Sequence, residues 1–109
     1  MIINYKNIPE VLIHEMRGGV GCVTIQRIVE DSRTLARITI PPKASIGPHT
    51  HVNDEEYVVV EAGIGECFQH GVWEPLTQGM VHLAKKGDMH SIRNLSNHNL
   101  IIIVYIYQI

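Results

Sequence analysis

Two histidines one residue apart, His49 and His51, stand just ahead of three consecutive carboxylates, Asp54, Glu55 and Glu56, in the stretch HTHVNDEEYVVVEAG. In a β-strand, residues two apart project to the same side, so His49 and His51 can offer two imidazoles to one metal ion. A solvated polar loop after Pro48 explains the pair equally well, and the pair alone does not choose between them. A second stretch, GMVHLAKKGDMHSIRN (79–94), places His90 just past the turn KKGD, with Asn94 four residues on. Glu56 opens the apolar run EYVVVEA, where a strand can hold it rigidly beside the histidines. His49, His51, Glu56 and His90 together make a mixed nitrogen and oxygen donor set. Such a set suits Mn, Fe, Co, Ni or Zn, and is too rich in nitrogen for Mg or Ca.

Residues this far apart in sequence need a rigid frame to meet. GCVTIQRIV (21–29), LARITI (35–40), EYVVVEA (56–62) and LIIIVYIY (100–107) are rich in Val, Ile, Thr and Tyr and read as strands. Breakers separate them: RGGVG (17–21), PPKASIGP (41–48), AGIG (62–65), HGVW (70–73), KKGD (85–88) and LSNHN (95–99). ECFQHGVWEPL reads as a hairpin turning at His70–Gly71. NIPEVLIHEM has room for one short helical turn, which Pro9 weakens. Many short strands with frequent turns predict an all-β sandwich or barrel. In the last strand both alternating sets of side chains, Leu100, Ile102, Val104, Ile106 and Ile101, Ile103, Tyr105, Tyr107, are apolar or aromatic. Both faces should therefore be covered, one by the core and the other by a second layer or a partner subunit.

The chain has 109 residues, which predicts one domain, 1–109, without a linker. Hydrophobic residues make up 45% and charged ones 18%, the balance of a globular chain. Formal net charge is -2 and no basic block occurs, so nucleic acid is not an expected partner. No apolar run is long enough for a membrane-spanning helix, and MIINYKNIPE does not read as a signal peptide. Two distant thiols, Cys22 and Cys67, give no disulfide framework, and a cytoplasmic location is expected.

The two histidine-bearing stretches resemble the paired motifs of the cupin superfamily. His49, His51, Glu56 and Gly63 fall on the first motif, G-x5-H-x-H-x(3,4)-E-x6-G, with Lys43 in place of its first glycine. Gly79, Gly87, His90 and Asn94 fall on the second, G-x5-P-x-G-x2-H-x3-N, with Lys85 in place of the proline. The short interval between them, Ile64 to Gln78, is similar to that of small bacterial single-domain cupins, themselves similar to one domain of oxalate decarboxylases and germins. The resemblance implies a double-stranded β-helix, or jelly roll, with a metal inside held by His49, His51, Glu56 and His90. Manganese is the first choice, with Fe, Ni, Co or Zn as alternatives. It also implies a homodimer. The motif spacing separates the three acids: six residues lie between Glu56 and Gly63, whereas Glu55 would need seven, so Asp54 and Glu55 are assigned to the loop.

The remaining candidates have plainer readings. His14, His70, His82 and His98 lack ligand-like spacing and are assigned structural or surface roles. Arg37, in an otherwise apolar strand, either faces the cavity as an anion binder or faces out; the structural reading is preferred. Tyr57 is assigned to packing, Trp73 to covering one barrel end, and Cys67 is a poor nucleophile candidate. The function expected is a metal-dependent enzyme acting on a small organic acid or other chelating ligand, of decarboxylase or oxidase/dioxygenase type, with no catalytic acid or base assigned. The alternative is a non-catalytic module that binds metal and a small ligand for storage or sensing.

Overall fold

The computed structural model describes all 109 residues. Ten strands form it: β1 (Val11–His14), β2 (Cys22–Glu30), β3 (Arg33–Ile40), β4 (Ser45–Thr50), β5 (Asp54–Ala62), β6 (Ile64–Gln69), β7 (Val72–Thr77), β8 (Val81–Ala84), β9 (Met89–Arg93) and β10 (Leu100–Gln108). They pair antiparallel in a six-stranded sheet of order β1-β2-β3-β10-β5-β8 and a four-stranded sheet of order β4-β9-β6-β7. No helix is long and apolar enough to cross a membrane. The fold is the double-stranded β-helix jelly roll expected from the two motifs.

Alternation places one face of each sheet against the other. Val23, Ile38, Ile40, Val58, Val60, Leu100 and Ile102 from the large sheet meet Ile46, Cys67, Leu76 and Ile92 from the small one in a single apolar cluster. Burying each of these side chains is worth on the order of 2 kcal/mol, which is what holds the sheets together. Strand β10 lies between β3 and β5 at the centre of the large sheet. Leu100, Ile102 and Val104 are buried, but Tyr105 on the outer set is exposed and Ile101 and Ile103 are half-buried. No second layer within the chain covers that outer set fully.

Two local expectations change. NIPEVLIHEM carries no helical turn of its own length: short 3-10 turns occupy Tyr5–Asn7 and Met16–Gly18, and Val11–His14 is an edge strand paired with β2. PPKASIGP is only partly a breaker, because residues 45 onward form β4 against β9. A register shift between Ile46 and His49 accommodates Gly47 and Pro48 within that strand. Lys43, standing where the motif has glycine, adopts φ +70, so the turn keeps its left-handed geometry without the residue that favours it. At the β6–β7 hairpin His70 and Gly71 both have positive φ, as a tight primed turn requires.

Candidate metal centre

His49 and His90 face each other across the β4–β9 pair, in register. Glu56 projects inward from β5 in the opposite sheet, and His51 lies on the link between β4 and β5. The four side chains converge, with their donor atoms all within 4.8 Å of one another. Nε2 of His90 is 2.9 Å from Nε2 of His51, 3.0 Å from Nε2 of His49 and 3.1 Å from Oε1 of Glu56. Nε2 of His51 is 3.4 Å from the same carboxylate oxygen.

The opposite ring nitrogens explain why these atoms point inward. Nδ1 of His49 donates to the carbonyl of Gly47 at 2.8 Å, and Nδ1 of His51 donates to Oδ1 of Asp54 at 2.7 Å. Nδ1 of His90 is 2.9 Å from Nε2 of His82, which accepts. Each proton is therefore assigned to Nδ1 by the network, leaving three Nε2 lone pairs and a carboxylate aimed at one point. Donors with no proton between them at such separations repel unless a cation stands among them. Two donors bound at about 2.1 Å to one ion stand about 3.0 Å apart at octahedral angles and about 3.4 Å apart at tetrahedral ones. The observed spacings fit a divalent transition ion.

Electrostatics agree. With no ion bound and the rings protonated on both nitrogens, burial acts to raise the Glu56 pKa, but hydrogen bonds from His51 and His90 and their charge overcome it and hold the carboxyl at about 2. The hydrogen bond to Glu56 raises His51, against burial. Burial lowers His49 and His82, keeping both rings neutral. The cavity beside the cluster measures about 60 Å³ and is walled by Ile38, Ile46, Ile92, Ile102, Val104 and Ile106.

Three assignments are revised. Asp54 is not a loop residue: it begins β5, and its carboxylate orients His51. Glu55 is also in β5, pointing away from the cluster, where it accepts from the Tyr107 hydroxyl at 3.1 Å and the Lys86 amide at 3.2 Å. His82, assigned a structural or surface role, takes a structural one, buried beside His90. Its signal was the alternation of MVHLA, but its neighbour in space is set by the pairing of β8 with β5, in which His82 opposes Val58. Arg37 does not reach the cavity and pairs with Glu61 at 3.0 Å. Tyr57 stacks on Tyr107, 6.1 Å between ring centroids. Trp73 covers no barrel end; it lies under the Arg93 guanidinium, 3.7 Å away, across the outside of the small sheet. Cys67 is buried, and desolvation pushes its thiol up to about 12, which makes it inert. His14, exposed at an edge strand, meets the Cys22 sulfur at 3.0 Å, and His70 and His98 are exposed. Both cysteines are free.

Comparison with known proteins gives the same answer. An "Oxalate-binding protein" of Thermotoga maritima is 30% identical over 106 residues, covering 92% of this chain and 88% of the relative. The crystal structure of a "predicted oxalate decarboxylase" from the same organism superposes with a TM-score of 0.95 at 29% identity, covering all of both chains. The cupin domain of Schizosaccharomyces pombe Cnp3 shares the fold at a TM-score of 0.81 and 10% identity, covering all of this chain and 74% of that one. Residues 36–106 match the family described as Cupin domain, and the chain belongs to that family.

Proposed function

We propose that this chain is a single-domain, metal-dependent cupin enzyme acting on a small organic acid, with His49, His51, Glu56 and His90 as the metal ligands. The observation that carries the reading is the convergence of three Nδ1-anchored imidazoles and one ionised carboxylate on a common point. Four protein donors leave about two positions free on an octahedral ion, enough for a chelating carboxylate. A bound divalent ion, manganese by preference, supplies Lewis-acid and redox chemistry for decarboxylation or oxidation. The protein's own part is to fix the donors, through Gly47, Asp54 and His82, and to exclude bulk water with its isoleucine walls. The relative named for oxalate binding supports oxalate or a similar acid as the ligand.

A second reading, a non-catalytic module for metal and a small acid, is favoured by one specific observation. Besides the four proposed ligands, the charged residues lining the cavity are Asp54, held by His51, and Arg17. Asp54 is engaged by His51, and a guanidinium does not give up its proton in proteins. Elemental analysis of protein purified without added metal comes first, followed by an oxalate turnover assay on the loaded protein. The enzyme reading expects turnover that disappears in Glu56→Ala and His90→Ala. Saturable oxalate binding without turnover establishes the module instead, and a protein that takes up no metal defeats both.

The outer face of the large sheet is proposed as a homodimer interface. There Leu35, Tyr57 and Tyr105 lie side by side on β3, β5 and β10, with Val59 and Val81 beyond, all exposed.

A further inference from the structure

The cavity holds one cationic side chain. Arg17 and Met16 line it from the 3-10 turn Met16–Gly18. Three arginines have carboxylate partners: Arg33 with Glu30, Arg37 with Glu61 and Arg93 with Glu66. Arg17 has none, although Asp54 and Glu56 line the same cavity. Its charge is felt by His49, whose pKa burial lowers and Arg17 lowers further.

The turn that carries Arg17 is held in an unfavourable shape. Glu15 and Arg17 both have left-handed backbones, φ +49 and +55. For side-chain-bearing residues that conformation persists only where surroundings enforce it. The enforcement is a backbone-to-backbone contact with β4. A Cβ on Gly47 would come within 2.2 Å of the Arg17 carbonyl, and one on Gly19 within 2.2 Å of the Ser45 carbonyl. The Ser45 amide donates to the Val20 carbonyl at 2.9 Å, and the Val20 amide to the Ser45 hydroxyl at 2.9 Å. The turn is thus welded to the strand that bears His49, and the Arg17 backbone is fixed relative to that strand.

A cavity of about 60 Å³ bounds what can enter. At roughly 10–15 Å³ of such volume per water-sized position, it has room for about four to six water-sized groups, the scale of a small acid. Its aliphatic walls and small enclosed volume favour a small acid over a sugar.

We infer that Arg17 is the anion-reading residue of this site, and that the ligand is a two- or three-carbon acid whose first carboxylate sits on the metal and whose second anionic group pairs with Arg17. The inference rests on the metal-site reading above and adds the class of acid and the residue that selects it. A guanidinium at the rim pairs bidentately with a carboxylate, and its exposure keeps that pair reversible.

The test is equilibrium binding of oxalate, malonate, succinate and acetate to manganese-loaded protein, followed by calorimetry and by the manganese magnetic-resonance spectrum. Wild-type, Arg17→Gln and Arg17→Lys proteins are compared at equal manganese content, which also certifies that each variant is folded. The expected result is that oxalate binds wild-type protein more tightly than succinate does. Arg17→Gln should weaken oxalate about 10- to 100-fold, Arg17→Lys should fall between, and acetate should change less than threefold. Equal oxalate affinity in wild-type and Arg17→Gln proteins overturns the role of Arg17 and leaves the metal-site reading intact. Loaded wild-type protein that binds none of the four acids overturns the small-acid reading itself, and this inference with it.

Discussion

Nε2 of His82 sits 2.9 Å from Nδ1 of His90, so the histidine at the centre of the cluster is anchored by a second buried imidazole. His90 is the ring closest to every other donor, and its orientation sets the geometry of the whole site. His82→Ala removes the acceptor that keeps the His90 proton on Nδ1. Metal affinity should fall about 10- to 100-fold, measured by competition against a chelating dye. His82→Gln, whose amide oxygen can accept the same bond, should recover part of the loss.

Asn94, fully buried, uses every hydrogen-bonding position of its amide. Nδ2 donates to the carbonyls of Ile40 at 2.9 Å and His98 at 2.7 Å. Oδ1 accepts from the amide and hydroxyl of Ser96, at 2.9 and 2.7 Å. The second motif's asparagine therefore builds the β9–β10 turn and does not touch the metal cluster. Asn94→Ala should cost about 2–4 kcal/mol of stability, read from urea denaturation, while manganese affinity stays within a few-fold of wild type.

Acid should act on the site in two stages. In metal-free protein the hydrogen bond to Glu56 raises the His51 pKa above the usual imidazole value, so protons compete with the ion at that ring. Bound manganese should then begin to leave as pH falls to about 6.5 and be lost by about pH 5, followed by magnetic resonance of the released ion. In metal-free protein Glu56 ionises with a pKa of about 2, against an ordinary value of 4.5. A carboxyl depressed by folding contributes its full stabilisation above the ordinary value and loses it as pH falls from about 4.5 toward 2. Glu56→Gln in metal-free protein should flatten that part of the stability curve.

Tyr105→Glu places a carboxylate in the middle of the exposed apolar face, opposite Leu35 and Tyr57. Light scattering should give a dimer mass for wild type and a monomer mass for the variant, because burying an unpaired charge between two sheets costs several kcal/mol. An unchanged mass would remove that face as the interface.

Most of the sheet was legible from residue type. The runs 21–29, 35–40, 56–62 and 100–107 lie in β2, β3, β5 and β10 with ends shifted by one or two residues, apart from the lone Gly21 that precedes β2. The hairpin turn at His70–Gly71 was readable because both positions need positive φ. Strand β4 was hidden because Pro48 and Gly47 look like a break, and only pairing with β9 across a register shift makes a strand of them. The motif spacing singled out the four residues that the fold draws together. Asp54 and His82 escaped because their roles depend on which ring nitrogen faces them, and spacing carries no tautomer. Arg17 escaped for a related reason: its place at the cavity comes from a turn packed on Gly47, some thirty residues away.

The four converging residues come from both sheets: His49 and His90 from the small one, Glu56 from the large one. An ion bound by all four is then a rivet through the sandwich, joining its two halves at one end. Below that end the sheets are joined by aliphatic packing and by the buried hydrogen bond from Asn94 to the Ile40 carbonyl. Amide hydrogens of β4, β5 and β9 near the cluster should therefore exchange faster when the rivet is drawn, while those around Leu100 and Val60 keep their pace. Whatever its chemistry, a bound ion would set how often the mouth of the barrel breathes.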